Sequence, residues 1–250
     1  MSWQAESYQF VAFHPPHEVQ DAFQIWLGLF QASPDNYQRH PDPNANATLA
    51  NGKHAGYFWQ VQCSPGRVDL FLMGQPAVIP DQANPSSFFP VIPNATAGLD
   101  LLRQQLVRPL LDKLPVTRMA VVVQFFEDHP SYRSANEAFL KLTGAPIDPV
   151  SALDVMFSVN VRKGLDEYGV ALNRVCRWQT IEKQLVQVQI NTGIAEGLPQ
   201  IVQHSLLLNI DINTMHQQTA IRSSTRMPIA ERLFEELEGL KEGGYEKLNS

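Results

Sequence analysis

Residues 199–213 read PQIVQHSLLLNIDIN, and their alternation decides how the rest of the chain is to be read. In an extended backbone Leu206, Leu208, Ile210 and Ile212 fall on one face, and Ser205, Asn209, Asp211 and Asn213 fall on the other. Period-two alternation of this kind belongs to a strand in an antiparallel or mixed sheet with one dry side and one wet side. The wet side is plain surface or a working surface. Its amides and carboxylate, Asn209, Asp211 and Asn213, are therefore candidate binding residues.

Working outward, strand patterns also cover residues 153–162, 170–180 and 185–191, and an apolar strand covers 117–126. A helix over 131–142 is stopped by Gly144 and Pro146. A last helix over 228–240 has Pro228 at its start and Gly243-Gly244 just past its end. Residues 117–250 thus read as one α+β module: a strand, a helix, a meander and a closing helix.

Residues 1–116 read as another module. A strand at 8–13 is stopped by Pro15 and Pro16, and Val19, Phe23, Trp26, Leu27 and Phe30 give helical spacing over 17–30. Residues 32–53, with Pro34, Pro41 and Pro43 and no apolar period, read as a long loop. Strands at 55–63 and 67–73 flank Ser64-Pro65-Gly66-Arg67, which suits a type II turn and makes a hairpin. A second long loop over 74–95 has prolines at 76, 80, 85, 90 and 93 and carries the apolar residues Phe88, Phe89, Val91 and Ile92, which read as a docking element. Thr96 is placed to cap a helix with Leu99, Leu102, Leu106, Leu110 and Leu114 in one stripe, interrupted by Pro109. Together with the strand from Thr117, this module has the βαββαβ order of a ferredoxin-like fold. The predicted class is α+β, two modules of mixed or antiparallel sheet with helices on one face.

The bulk numbers restrict function. The 250 residues are 44% hydrophobic, enough for a sizeable core. A net charge of −6 with only 19 Lys plus Arg supplies no basic field for phosphates, which argues against nucleic acid as a partner. Cys63 and Cys176, the two cysteines, sit in apolar strand patterns and read as buried reduced thiols. The first residues lack a cationic segment followed by an apolar run, and no stretch approaches the roughly 20 apolar residues of a membrane helix. A soluble cytoplasmic protein is expected, in which Asn46 and Asn94 are not glycosylated.

Phosphate-binding loops, dinucleotide fingerprints, the Gly-x-Ser-x-Gly elbow, His-Glu-x-x-His and paired Cys-x-x-Cys are absent from the sequence. Two constellations remain. Glu127-Asp128-His129, after an apolar strand and before a helix, offers two carboxylates and an imidazole to a divalent cation. Asn160 and Arg162, Gln187 and Gln189, and Asn209, Asp211 and Asn213 lie on the wet sides of separate strands and form one patch if those strands are neighbours, with Arg162 or Arg177 available to Asp211. Arg177 and Trp178 point to opposite faces, which weakens any reading as a base-stacking platform. The remaining histidines are scattered, and the charged run from Glu231 to Lys241 is the wet side of an amphipathic helix.

Tyr132 and Phe139 in the middle helix, LLLNIDIN at 206–213 and Leu233-Phe234 in the last helix resemble a sporadically distributed family of uncharacterised bacterial α+β proteins. The resemblance implies a bacterial, cytosolic setting and carries over no catalytic residue. The leading expectation is a non-enzymatic interaction or assembly protein without a cofactor. It would bind a protein partner, or a second copy of itself, through a sheet face or through the proline-rich loop. One alternative is a metal-assisted hydrolase around Glu127, Asp128 and His129. A second is an RNA- or DNA-binding tandem ferredoxin-like protein.

Overall fold

The alternating stretch forms strand β11 (Ile201–Thr214), which pairs antiparallel with a neighbour on each side. The computed structural model describes residues 3–42, 45–75, 90–185, 188–191, 194–197 and 201–248. The first half of the chain contains β1 (Gln4–Phe13), α1 (Ala22–Phe30), β2 (Asn36–Arg39), β3 (Thr48–His54), β4 (Tyr57–Ser64), β5 (Arg67–Met73), α2 (Ala95–Leu101) and α3 (Val107–Lys113). The second half contains β6 (Arg118–His129), α4 (Tyr132–Thr143), β7 (Met156–Leu165), β8 (Val170–Leu185), β9 (Val188–Asn191), β10 (Ile194–Gly197), then β11 and α5 (Ser223–Leu248). Nine strands form one sheet in the order β2-β3-β4-β5-β1-β6-β11-β8-β7, with every neighbouring pair antiparallel. Strands β9 and β10 form a separate two-stranded pair among the described residues.

The order contains an internal symmetry. Each half begins with a strand and a helix, runs through a meander whose last strand returns beside the opening strand, and ends in a helix. The two opening strands, β1 and β6, are antiparallel neighbours, so an approximate two-fold axis between them relates β5 to β11, β4 to β8 and β3 to β7. The helix layer follows the same rule, with α3 and α5 adjacent in the middle, α1 beside α3 and α4 beside α5. A single apolar core runs through both halves, from Trp26 and Trp59 to Trp178 and Phe234.

The expected loop at 32–53 instead holds β2 and β3, so four strands rather than two separate the first helices and the ferredoxin-like order is not what the chain builds. The inward positions of β3 are Ala50 and Gly52, both buried, where bulky apolar residues would have revealed a period. Bulk is excluded there: a Cβ on Gly52 would lie 2.9 Å from the Asp35 backbone nitrogen.

Helix ends also differ from expectation for local reasons. Asp21 accepts from the Phe23 and Gln24 amides, so α1 starts at Ala22 and not at residue 17. Asn94, not Thr96, caps α2. The interruption expected at Pro109 is taken up just ahead of it by a π-helical turn, Leu102–Leu106, which keeps the leucine stripe buried. Helix α5 starts before Pro228 because Arg226 ties its first turns to the end of α3, donating to the carbonyls of Ile221, Leu111 and Leu114. It breaks at Gly244, whose φ of 58° is left-handed.

One charged group is built into the helix side of the sheet. Arg174, 3% exposed on β8, donates to Glu236 of α5 at 3.1 Å and to the Leu248 carbonyl at 2.7 Å, so it holds α5 on both sides of the Gly244 break. Lys163 of β7 donates to the other Glu236 oxygen at 2.8 Å. Burial opposes ionisation of Glu236, but the hydrogen bonds from Lys163 and Arg174 outweigh it and hold the carboxyl below its ordinary range. A lowered folded pKa stabilises above the ordinary carboxylate range, and that contribution is lost as pH falls through the folded value. Glu236→Gln, which leaves Arg174 buried without its counter-charge, is expected to cost about 3 kcal/mol at neutral pH. In urea titrations the gap from the parent should narrow as pH falls below the ordinary carboxylate range and vanish once the folded Glu236 carboxyl is protonated.

Candidate binding face of the sheet

Helix α1 packs on β3 and β4, α2 on β1, α4 on β6, β8 and β11, and α5 on β6 and β11. These contacts all fall on the side of Phe10, Val121 and Leu208; among the described residues no helix covers the opposite side. On that side the register aligns Asp69, Val11, Ala120, Asn213, Asn173 and Arg162 across β5, β1, β6, β11, β8 and β7.

Near β5 and β11 the polar groups of this face satisfy one another. Arg67 donates to both Asp69 oxygens at 2.7 to 3.0 Å, and Gln9 donates to the same carboxylate at 2.5 Å. The hydrogen bond to Asp69 raises the Arg67 pKa, and the charge of Asp211 adds to it. The Arg67 and Arg118 guanidinium groups lie over the Phe13 ring at 5.4 and 4.9 Å. The Asn213 carbonyl accepts from Arg118 and Asn173, each at 3.0 Å, while its amide donates to Asp211 at 2.9 Å. The five strands β5, β1, β6, β11 and β8 are thus cross-linked on this side by side chains as well as by the ladder.

The anticipated patch is brought together in part. Strands β7, β8 and β11 are neighbours, but Asn213 is buried within the network and Asn209 and Asp211 are half-buried. Asn160 and Arg162 stand exposed on β7, separated from β11 by β8. Arg177 is also exposed, across from Asn209 on one side and Ser158 on the other. Neither Arg162 nor Arg177 makes an ion pair or side-chain hydrogen bond among the described residues, so the pairing with Asp211 does not form. Trp178 is fully buried beneath the helices. Phe88 and Phe89 and the side chains of Gln187 and Gln189 lie outside the described residues.

Glu127, Asp128 and His129 are not in a loop, because β6 runs through His129 and pairs with His204, Ser205 and Leu206. The pleat therefore divides them. Glu127 and His129 share the helix side, 3.7 Å apart, while Asp128 turns to the other side and accepts from Ser205 at 2.8 Å. Ser131 caps α4, its side chain accepting from the Ser134 amide. Among the described residues no group of three or more His, Cys, Asp or Glu side chains is arranged to hold a metal ion.

Gln9, Arg67, Asp69 and Arg118 escaped the sequence reading. A signal was present in Arg67-Val-Asp-Leu-Phe-Leu-Met73, where an acid and a base two residues apart share a face in an otherwise apolar strand. No protein family, curated protein or solved structure matches the chain. No helix among the described residues is long and apolar enough to cross a membrane.

Asp69→Asn, which breaks the charged fork under Arg67, is expected to cost about 2 kcal/mol, whereas Asn160→Ala should stay within about 0.5 kcal/mol in the same chemical denaturation. Cys63 and Cys176 are both free and buried, and burial pushes each thiol up to about 12. A disulfide-exchange reagent at neutral pH should label neither in the native protein and both after unfolding. Rapid labelling of the folded chain would contradict the packing around β4 and β8.

Proposed function

We propose that the chain is a non-enzymatic interaction protein that binds a partner protein on the helix-free face of its sheet, toward strands β8 and β7. The observation that carries this reading is a contrast within one face. Around Asp69 and Asn213 the polar groups are consumed internally, whereas Asn160, Arg162 and Arg177 are exposed and their side chains make no hydrogen bond among the described residues. Amide and guanidinium donors on an exposed sheet face are suited to reading the backbone and carboxylates of another polypeptide. Asp128 is turned away from Glu127 and His129, and among the described residues no group of three or more His, Cys, Asp or Glu side chains supports a metal-assisted reaction.

A photo-crosslinking residue at Gln179, on the proposed face, is compared with one at Arg108, exposed on α3. After capture from a lysate, adducts to a partner protein are expected from position 179 and not from 108. Adducts from the helix layer alone, or from neither, would contradict the assignment of the face.

A further inference from the structure

The two edges of the sheet are built differently. Strand β2 is 4 residues long, and two of its side chains are engaged: Tyr37 donates to Asp21 at 2.7 Å, and Arg39 donates to the Tyr37 hydroxyl at 2.7 Å. Strand β7 is 10 residues long, pairs regularly with β8 from Met156 to Leu165, and has no strand on its other side among the described residues. A long regular edge exposes a row of unpaired backbone donors and acceptors, which natural sheets normally blunt or cover. Here Leu153 and Met156, at its start, are also exposed, at 69% and 59%.

We infer that the β7 edge receives an extended acidic segment of a partner protein as a tenth strand of the sheet. This deepens the proposed interaction function and rests on it. The side chains define the chemistry of the guest. Ser158, Asn160 and Arg162 point to the helix-free side and are exposed, while Phe157, Val159 and Val161 point to the helix side and are half-buried. A guest residue facing Arg162 meets an unpaired guanidinium directly. A guest residue facing Ser158 meets a second one, because Arg177 is the cross-strand neighbour of Ser158 and the serine is too small to block its reach. Two carboxylates four residues apart, about 13 Å in a strand, match these cations, with a polar residue between them for Asn160. The intervening guest residues meet Phe157, Val159 and Val161 and should be apolar.

Charge argues against a second copy as the guest. From Met156 to Leu165 the strand holds Arg162 and Lys163 and no carboxylate. Self-pairing centred on Asn160 sets Arg162 against Ser158 of the second copy, behind which that copy's own Arg177 stands, so like charges meet.

The test uses the full chain and a fluorescent peptide containing Val-Glu-Val-Thr-Val-Glu-Val, followed by anisotropy. Saturable binding that weakens with salt is expected. Arg162→Gln, Arg177→Gln and replacement of both peptide glutamates by glutamine should each lower affinity about tenfold or more. A peptide N-methylated at alternate amides, unable to complete the ladder, should lose binding. Both arginines are exposed, so these variants keep the fold. Absence of binding, or binding indifferent to the arginines or to N-methylation, would overturn the inference, as would a doubled mass in solution with the edge closed to the peptide. If crosslinks at Gln179 still capture a partner while the peptide fails, only the edge assignment falls. If both fail, the interaction reading falls with it.

Discussion

The antiparallel pairing of β1 with β6 is the constraint from which the rest of the molecule follows. Each of these strands opens a half-chain, and each half closes its own meander onto the far side of its opening strand. Joining the two openers fuses what would be two small sheets into one and sets α3 of the first half beside α5 of the second. Both halves then bury apolar surface in the same layer, and the hydrophobic gain scales with that shared area. Register is fixed by the same arrangement, since a slip of one residue would turn Phe10, Val121 and Leu208 out of the core and bring Asp69 and Asp211 in.

A one-sided helix layer has a consequence for the polar side. Polar groups on the central strands lie among large neighbours and need partners. Asp69 and Asn213 find them in Arg67, Gln9, Arg118 and Asn173, which explains why the middle of this face is a closed network. At the rim that need lapses, and β7 carries an amide and a guanidinium that the fold leaves unused. The buried Arg174, by contrast, sits on the helix side and is explained by its hold on Glu236 and the Leu248 carbonyl.

Much of this was legible in the residues. The alternation of β11, the Pro65-Gly66 hairpin and the leucine stripe broken near Pro109 each follow from local chemistry and reappear in the structure, and so does an α+β sheet with helices packed against it. Strand β3 was hidden because its inward positions are alanine and glycine, whose burial leaves no hydrophobic trace. The site was harder to read. Asn209, Asp211 and Asn213 were correctly placed on the side away from the apolar core, but a strand pattern does not reveal which polar residues neighbouring strands will satisfy. Nor does it show that β6 continues through His129, which is what separates Asp128 from Glu127 and His129. Both facts depend on pairing between residues far apart in the chain: 40 positions for Asn173 with Asn213, 77 for Asp128 with Ser205 and 95 for Arg118 with Asn213.

The most direct measurement of the account is residue-resolved amide hydrogen exchange on the isolated chain. The slowest exchange is expected together in β1 and β6, with an alternating pattern in β7, where amides turned toward β8 are protected and those turned outward exchange rapidly. Uniform protection along β7, or β1 and β6 opening at widely different rates, would show that the edge is not free or that the two halves do not share one sheet.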